Sequence, residues 1–244
     1  MTILDVLIAS LPDDVPVRTV LVGVHWTVVC SRQCGMAATL LSSHLHGHQQ
    51  IRDAGSLHLK SARQLAELAY STELQEASIG MAAVNSMLDV DESLAVEVNA
   101  SEVLASRGRG KNVALIGHFP FIEKLHESAG KLWVIEQNPA EGEYPEEAAS
   151  DLLPQADMVA ITGSTIVNHT LDDLLALCDP KATVMLLGPS TPLSPILFHQ
   201  GVNILSGARV VDEAAVLRTV GQGASFRQVE GVKLLTFVHA KEND

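Results

Sequence analysis

Aromatic side chains are scarce in this chain: Phe, Tyr and Trp together make up 4% of its 244 residues. A core must then be built from Leu, Val, Ala and Ile, and an apolar fraction of 47% is enough to build one. Basic charge is short as well. Sixteen Lys and Arg face 29 Asp and Glu, for a formal net charge of −13. A nucleic-acid partner wants a basic face, so no nucleic-acid partner is expected. No apolar run approaches the roughly 18 residues that a membrane-spanning helix requires, so no membrane partner is expected. The stretch "MTILDVLIASLPDD" has neither a basic n-region nor a cleavage signal, so no signal peptide is expected. Three cysteines, an odd number, do not suggest a disulfide framework. A reducing cytoplasm is the simplest setting. The dinucleotide fingerprint G-x-G-x-x-G and the phosphate loop G-x-x-x-x-G-K-[ST] are both absent.

What is present divides near residue 106. Up to there, "TILDVLIASL" has the spacing of a short amphipathic helix. "VRTVLVGVHWTVVCS" is β-branched strand material interrupted at Gly23, and "CGMAATLL" is a further strand candidate. Residues 61–88 have a helical pattern. Strands followed by helices predict an α+β unit with an antiparallel sheet over residues 1–105. The polar stretch "SRGRGKN" reads as a linker. Beyond it, over 106–244, continuous apolar runs alternate with helices: "NVALIG", "KLWVIE", "DMVAITG", "ATVMLLG" and "VNILSG". This is the signature of a parallel sheet covered on both faces, predicted to have five or six strands. The segment "STIVNHTLDDLLALC" reads as one helix, with Asn168 one turn inside it.

Open parallel sheets bind ligands outside the carboxyl ends of their strands. Here those ends read Gly117-His118-Phe119-Pro120, then Glu136, then Thr162-Gly163-Ser164, then Gly188-Pro189-Ser190-Thr191-Pro192. Glycine permits close approach of the backbone. Ser164 and Thr191 are candidate caps for following helices, and Pro192 suits a first helical turn. Glu136 follows Gly117 by 19 residues, close to the offset at which an acidic side chain accepts ribose hydroxyls. An adenosyl or other nucleotide-type ligand, without a tightly held pyrophosphate, is therefore one candidate cofactor, and an anionic small molecule another. His118, at a strand end, is the candidate catalytic acid or base. "HLHGH" places His44, His46 and His48 near Cys30 and Cys34, but without a complete four-ligand set these are only weak metal candidates.

"IGHFPF", "ADMVAITGSTIVNHTLDDLL" and "LLGPSTPLSPILFHQGVNILSGARVVD" resemble the family described as putative heavy-metal chelation. "GMAAT" and "IGMAAVNSML" are similar to the domain that normally precedes it. The resemblance implies an enolase-N-terminal-like α+β domain followed by a Rossmann-like domain, with a site in the cleft between them. By match it carries Gly117, His118, Pro120, Glu136, Thr162 and Gly163 into that cleft. Ser164, Asn168, Gly188, Pro189, Ser190 and Pro192 follow, with Asn85 from the first domain. Two function classes stay open: a binding protein for a small ligand or metal chelate, and a transferase-like enzyme using an adenosyl cofactor. Self-association into a homo-oligomer is also left open.

Overall fold

The structure is a computed structural model, and it describes residues 1–41, 51–96 and 100–239. Helix α1 (Ile3–Ala9) starts at a capping box. Thr2 Oγ1 accepts from the Asp5 N–H, and Asp5 Oδ2 accepts from the Thr2 N–H. Strands β1 (Thr19–Val22), β2 (Trp26–Cys30) and β3 (Cys34–Ala38) form an antiparallel sheet in that order. The predicted helical stretch is broken into α2 (Ala62–Ala66), a 3₁₀ turn at Glu67–Tyr70, and α3 (Leu74–Met87). α3 is buried almost all round, which marks a helix enclosed by the core.

The second sheet has eight strands rather than five or six. They are β4 (Ala95–Val96), β5 (Asn112–Ile116), β6 (Lys131–Glu136), β7 (Tyr144–Pro145), β8 (Met158–Thr162), β9 (Thr183–Leu187), β10 (Ile204–Val210) and β11 (Val232–Val238). Their order is β4-β11-β10-β9-β8-β5-β6-β7. The six strands from β10 to β7 are parallel, and β11 and β4 add antiparallel partners at one edge. The short flanking strands carry too little apolar pattern to be seen in sequence. Helices α4 (Ala100–Arg107), α5 (Ile122–Ser128), α6 (Ala149–Leu152), α7 (Ser164–Val167), α8 (Leu171–Leu177) and α9 (Glu213–Gly221) connect the strands. The protein is thus a mixed α/β structure around a large, mostly parallel sheet.

Alternation along the strands decides what covers each face. Ala114, Ile116, Val159, Ile161, Val184 and Leu186 face a core shared with α1, α2, α3, α7 and α8. Val113, Leu115, Met158, Ala160, Met185 and Leu187 face a smaller core under α4 and α5. The three-stranded sheet is divided in the same way: Val29 and Ala37 join the first core, while Val28, Cys30 and Met36 pack with α9 through Val216 and Val220. Among the described residues no helix is long and apolar enough to cross a membrane.

Two sequence readings of local structure are corrected. The helix after β8 breaks at Asn168-His169-Thr170, where His169 adopts φ 62°. Asn168 is therefore a helix terminus, with Oδ1 accepting from the Thr170 hydroxyl at 2.8 Å. The loop after β9 does not open a helix at Pro192: the 3₁₀ turn begins at Pro195, and neither Ser164 nor Thr191 caps a helix.

Candidate functional site

Between β5 and β8 the strand order reverses: the chain steps from β5 to β6 and β7 on one side, then to β8, β9 and β10 on the other. A reversal leaves a crevice outside the carboxyl ends, because the two flanking connections leave in opposite directions. Gly117 follows β5 with φ +108°, and Gly188 follows β9 with φ +109°. Both lie in the left-handed region that favours glycine.

Two cavities meet at this point and share His118, Thr162 and Ser164. The first, about 630 Å³, runs from Leu40 past Gly117, Glu136 and Asn168 to Asp173. Glu136, Glu146, Glu147 and Asp173 all line it, with no Lys or Arg among its described walls. The second, about 610 Å³, is walled by Trp26, Phe119, Pro120 and Phe226, with Gly188, Pro189 and Ser190 behind and Arg227 at the rim. Trp26 and Phe226 meet edge to face at 5.4 Å. The result is one groove with an acidic lobe and an aromatic lobe.

At the junction, Thr162 Oγ1 and Ser164 Oγ lie 2.9 Å apart, and the Ser164 N–H donates to Thr162 Oγ1 at 3.4 Å. His118 Nδ1 is 2.9 Å from Glu143 Oε1. A carboxylate only accepts, so Nδ1 carries the proton in this pair, and Nε2 has no partner among the described residues. Glu143 Oε2 also accepts from the Ala140 N–H at 2.8 Å. That backbone bond first, and His118 after it, hold the Glu143 carboxyl below its ordinary range. Glu143 was missed in the sequence, because a partner 25 residues away has no spacing signal.

Several expected site residues lie elsewhere. Gly163 is buried against Thr191, outside the walls of both lobes. Ser190 touches the aromatic lobe but is itself buried: its Oγ accepts from the Ala38 N–H at 2.8 Å, and its carbonyl accepts from Asn85 Nδ2 at 3.2 Å. Asn85 and Thr191 line a separate pore of about 10 Å³ with Cys34 and Arg209. Among the described residues, Asn85 Oδ1 and Thr191 Oγ1 have no partner there, and such a pore has room for one water. Pro192 is buried outside both lobes. Cys178 ends α8, and burial raises its thiol to about 11. His44, His46 and His48 lie outside the described residues.

Three cysteines do not suggest a disulfide framework, but one disulfide is present. Cys30 and Cys34 are register partners across the β2–β3 hairpin and form a disulfide, with Cα atoms 4.0 Å apart. A C-x₃-C spacing does not reveal this until the three intervening residues are known to be a hairpin turn. Among the described residues, these two sulfurs and a Glu213 carboxylate oxygen form the one group of three ligating atoms close enough together for a metal ion.

Comparison with known proteins places the chain. Two family models match it, both described as putative heavy-metal chelation, one over residues 4–88 and the other over residues 99–239. An uncharacterised protein of Methanocaldococcus jannaschii is 27% identical over 185 residues, which is 73% of this chain and 70% of that protein. A crystal structure of a protein of unknown function of the DUF364 family from Desulfitobacterium hafniense superposes with a TM-score of 0.84 at 28% identity, covering 97% of this chain and 98% of the other. Another of the same family, from Pyrococcus horikoshii, superposes with a TM-score of 0.78 at 22% identity, covering 96% and 97%. Over both halves of its length, the chain belongs to the family described as putative heavy-metal chelation.

Proposed function

We propose that the groove at the strand-order reversal binds a small ribose-bearing ligand of adenosyl or nucleoside type, lying across both lobes. The observation that carries this reading is the convergence of Glu136, the Thr162–Ser164 hydroxyl pair and His118 on one groove at the carboxyl edge of the sheet. A carboxylate at the end of β6 accepts the hydroxyls of a sugar. Rings of Trp26, Phe119 and Phe226 suit a flat base, and such aromatic contacts are worth about 0.5–1.5 kcal/mol beyond area alone. Four carboxylates in the acidic lobe disfavour a phosphate or carboxylate there. An anionic group on the ligand belongs at Arg227. The family description favours a ligand that can carry a metal, and the carboxylates of the acidic lobe suit a cationic or chelated centre.

The test is calorimetry with adenosine and adenosyl compounds. Glu136→Ala should weaken binding by roughly 1–3 kcal/mol, about 5- to 140-fold, the cost of losing charge-assisted hydrogen bonds. No binding to the parent protein, or equal affinity in the variant, counts against the reading.

The His118–Glu143 pair favours a second reading, an enzyme of transferase type. An imidazole oriented through Nδ1 by a carboxylate presents Nε2 as a general base. Turnover of a bound adenosyl compound, lost in His118→Ala while binding is retained, would select this reading over binding alone.

A further inference from the structure

A second cluster of ligating side chains lies away from the groove. Cys30 ends β2, Cys34 begins β3 and Glu213 begins α9; none of the three lines either lobe. The cysteines are 0% and 8% exposed and pack with Val28, Val216, Val220 and Val229. Glu213 is 41% exposed and opens the cluster to solvent. The two sulfurs and a Glu213 oxygen all lie within 4.8 Å of one another. We propose that Cys30, Cys34 and Glu213 form a redox-gated site for a thiophilic divalent cation of the zinc–cadmium class, closed as the disulfide and ligating as the dithiol.

The geometry supports both states. In a tetrahedral site with Zn–S bonds of about 2.3 Å, two sulfurs lie about 3.8 Å apart, which side-chain rotation of two facing cysteines supplies with little backbone change. Cross-strand pairing fixes the two Cβ positions in either state. Arg18 binds the cluster together: its Nη2 donates to Glu213 at 2.7 Å, and its Nη1 donates to the carbonyl of Ser31, inside the cysteine loop. Two thiolates, one carboxylate and a divalent ion sum to one negative charge, which the Arg18 guanidinium offsets. Thiolates select soft or borderline ions over magnesium or calcium. Among the described residues, three protein ligands leave a fourth position open, which suits loading and release rather than a permanent structural ion.

A dithiol reductant transfers two electrons and two protons to the Cys30–Cys34 bond and becomes a disulfide itself. The two thiols then release their protons to solvent as the cation binds, and Glu213 turns from Arg18 to the ion without a change of protonation. Exchange with an oxidised dithiol carrier reverses the sequence and frees the cation. This site is independent of the groove and of any ligand bound there.

The test uses the full chain, oxidised or reduced with a phosphine that is then removed under anaerobic conditions. Thiol counting after denaturation should give one thiol before reduction and three after it. Titration with Cd²⁺, read by thiolate-to-metal absorption, should give one equivalent in the reduced protein and none in the oxidised one. The double variant Cys30→Ala/Cys34→Ala should lose the band. Because that variant also alters a core, Glu213→Gln provides the second arm: its affinity should fall about tenfold with the thiolate band retained. Four results would overturn the proposal: equal binding in both redox states, no band in the reduced protein, no loss in Glu213→Gln, or a disulfide that reduces only on unfolding.

Discussion

Glu76 sits on the buried helix α3 with only 3% of its side chain exposed, yet it is ionised. Its carboxylate accepts from Arg52 through the backbone N–H, Nε and Nη2, and from the Ser71 hydroxyl at 2.7 Å. The Arg52 bonds, foremost, bring its pKa down from 4.5 to about 2. A depressed carboxyl contributes stability above its unfolded pKa and loses it as pH falls through the folded one. Denaturant midpoints should therefore drop between about pH 5 and pH 2, with up to about 3 kcal/mol from this group. Arg52→Ala should flatten that part of the profile, and an unchanged profile would refute the assignment. Gly163 is closed in by Thr191. A Cβ there would stand 2.6 Å from the Thr191 backbone nitrogen, so Gly163→Ala should destabilise by about 1–3 kcal/mol through overpacking. Thermal denaturation reads this directly. Sequence alone singled out Gly163 for the cleft, whereas the structure gives it a packing role. A histidine two residues past a buried strand draws notice in sequence; its hydrogen-bond partner Glu143, 25 residues on, does not.

At the scale of elements, the parallel strands were legible and their connections less so. Buried strands such as β5, β8 and β9 are short unbroken apolar runs, and burial on both faces demands that pattern. The break between α7 and α8 is different. His169 holds φ 62° while its Nε2 lies 2.7 Å from the Ala69 carbonyl, a contact 100 residues away. Local pattern favoured one continuous helix, and a tertiary hydrogen bond overrode it. His169→Ala removes that bond and keeps the strained backbone, so it should cost about 1–2 kcal/mol in urea unfolding. A neutral result would show that the break is fixed by Asn168 and Thr170 alone. The loop after β9 follows the same logic. Ser190 bonds to β3 and to Asn85 of α3, and these contacts from the first half defer the helical turn to Pro195. The disulfide across β2 and β3 was hidden for a related reason: pairing depends on hairpin register, which the spacing of two cysteines does not fix.

At the scale of the whole molecule, one core joins the two halves. Residues of α1, α2 and α3 pack into the same apolar cluster as one face of the large sheet, so the three-stranded sheet is held against the carboxyl edge where the strand order reverses. Trp26, Ala38 and Leu40 thereby become walls of a groove whose floor is Gly117, Thr162 and Ser164. With a net charge of −13 and an acidic lobe, the protein should favour ligands with hydroxyl or cationic groups over polyanions. A crystal structure grown with saturating adenosine tests ligand binding in the groove most directly. Ordered ligand density between Glu136 and the Thr162–Ser164 pair, with the base toward Trp26 and Phe226, is the predicted result. Density elsewhere on the molecule, or a groove unchanged at ligand concentrations that bind in solution, would contradict it.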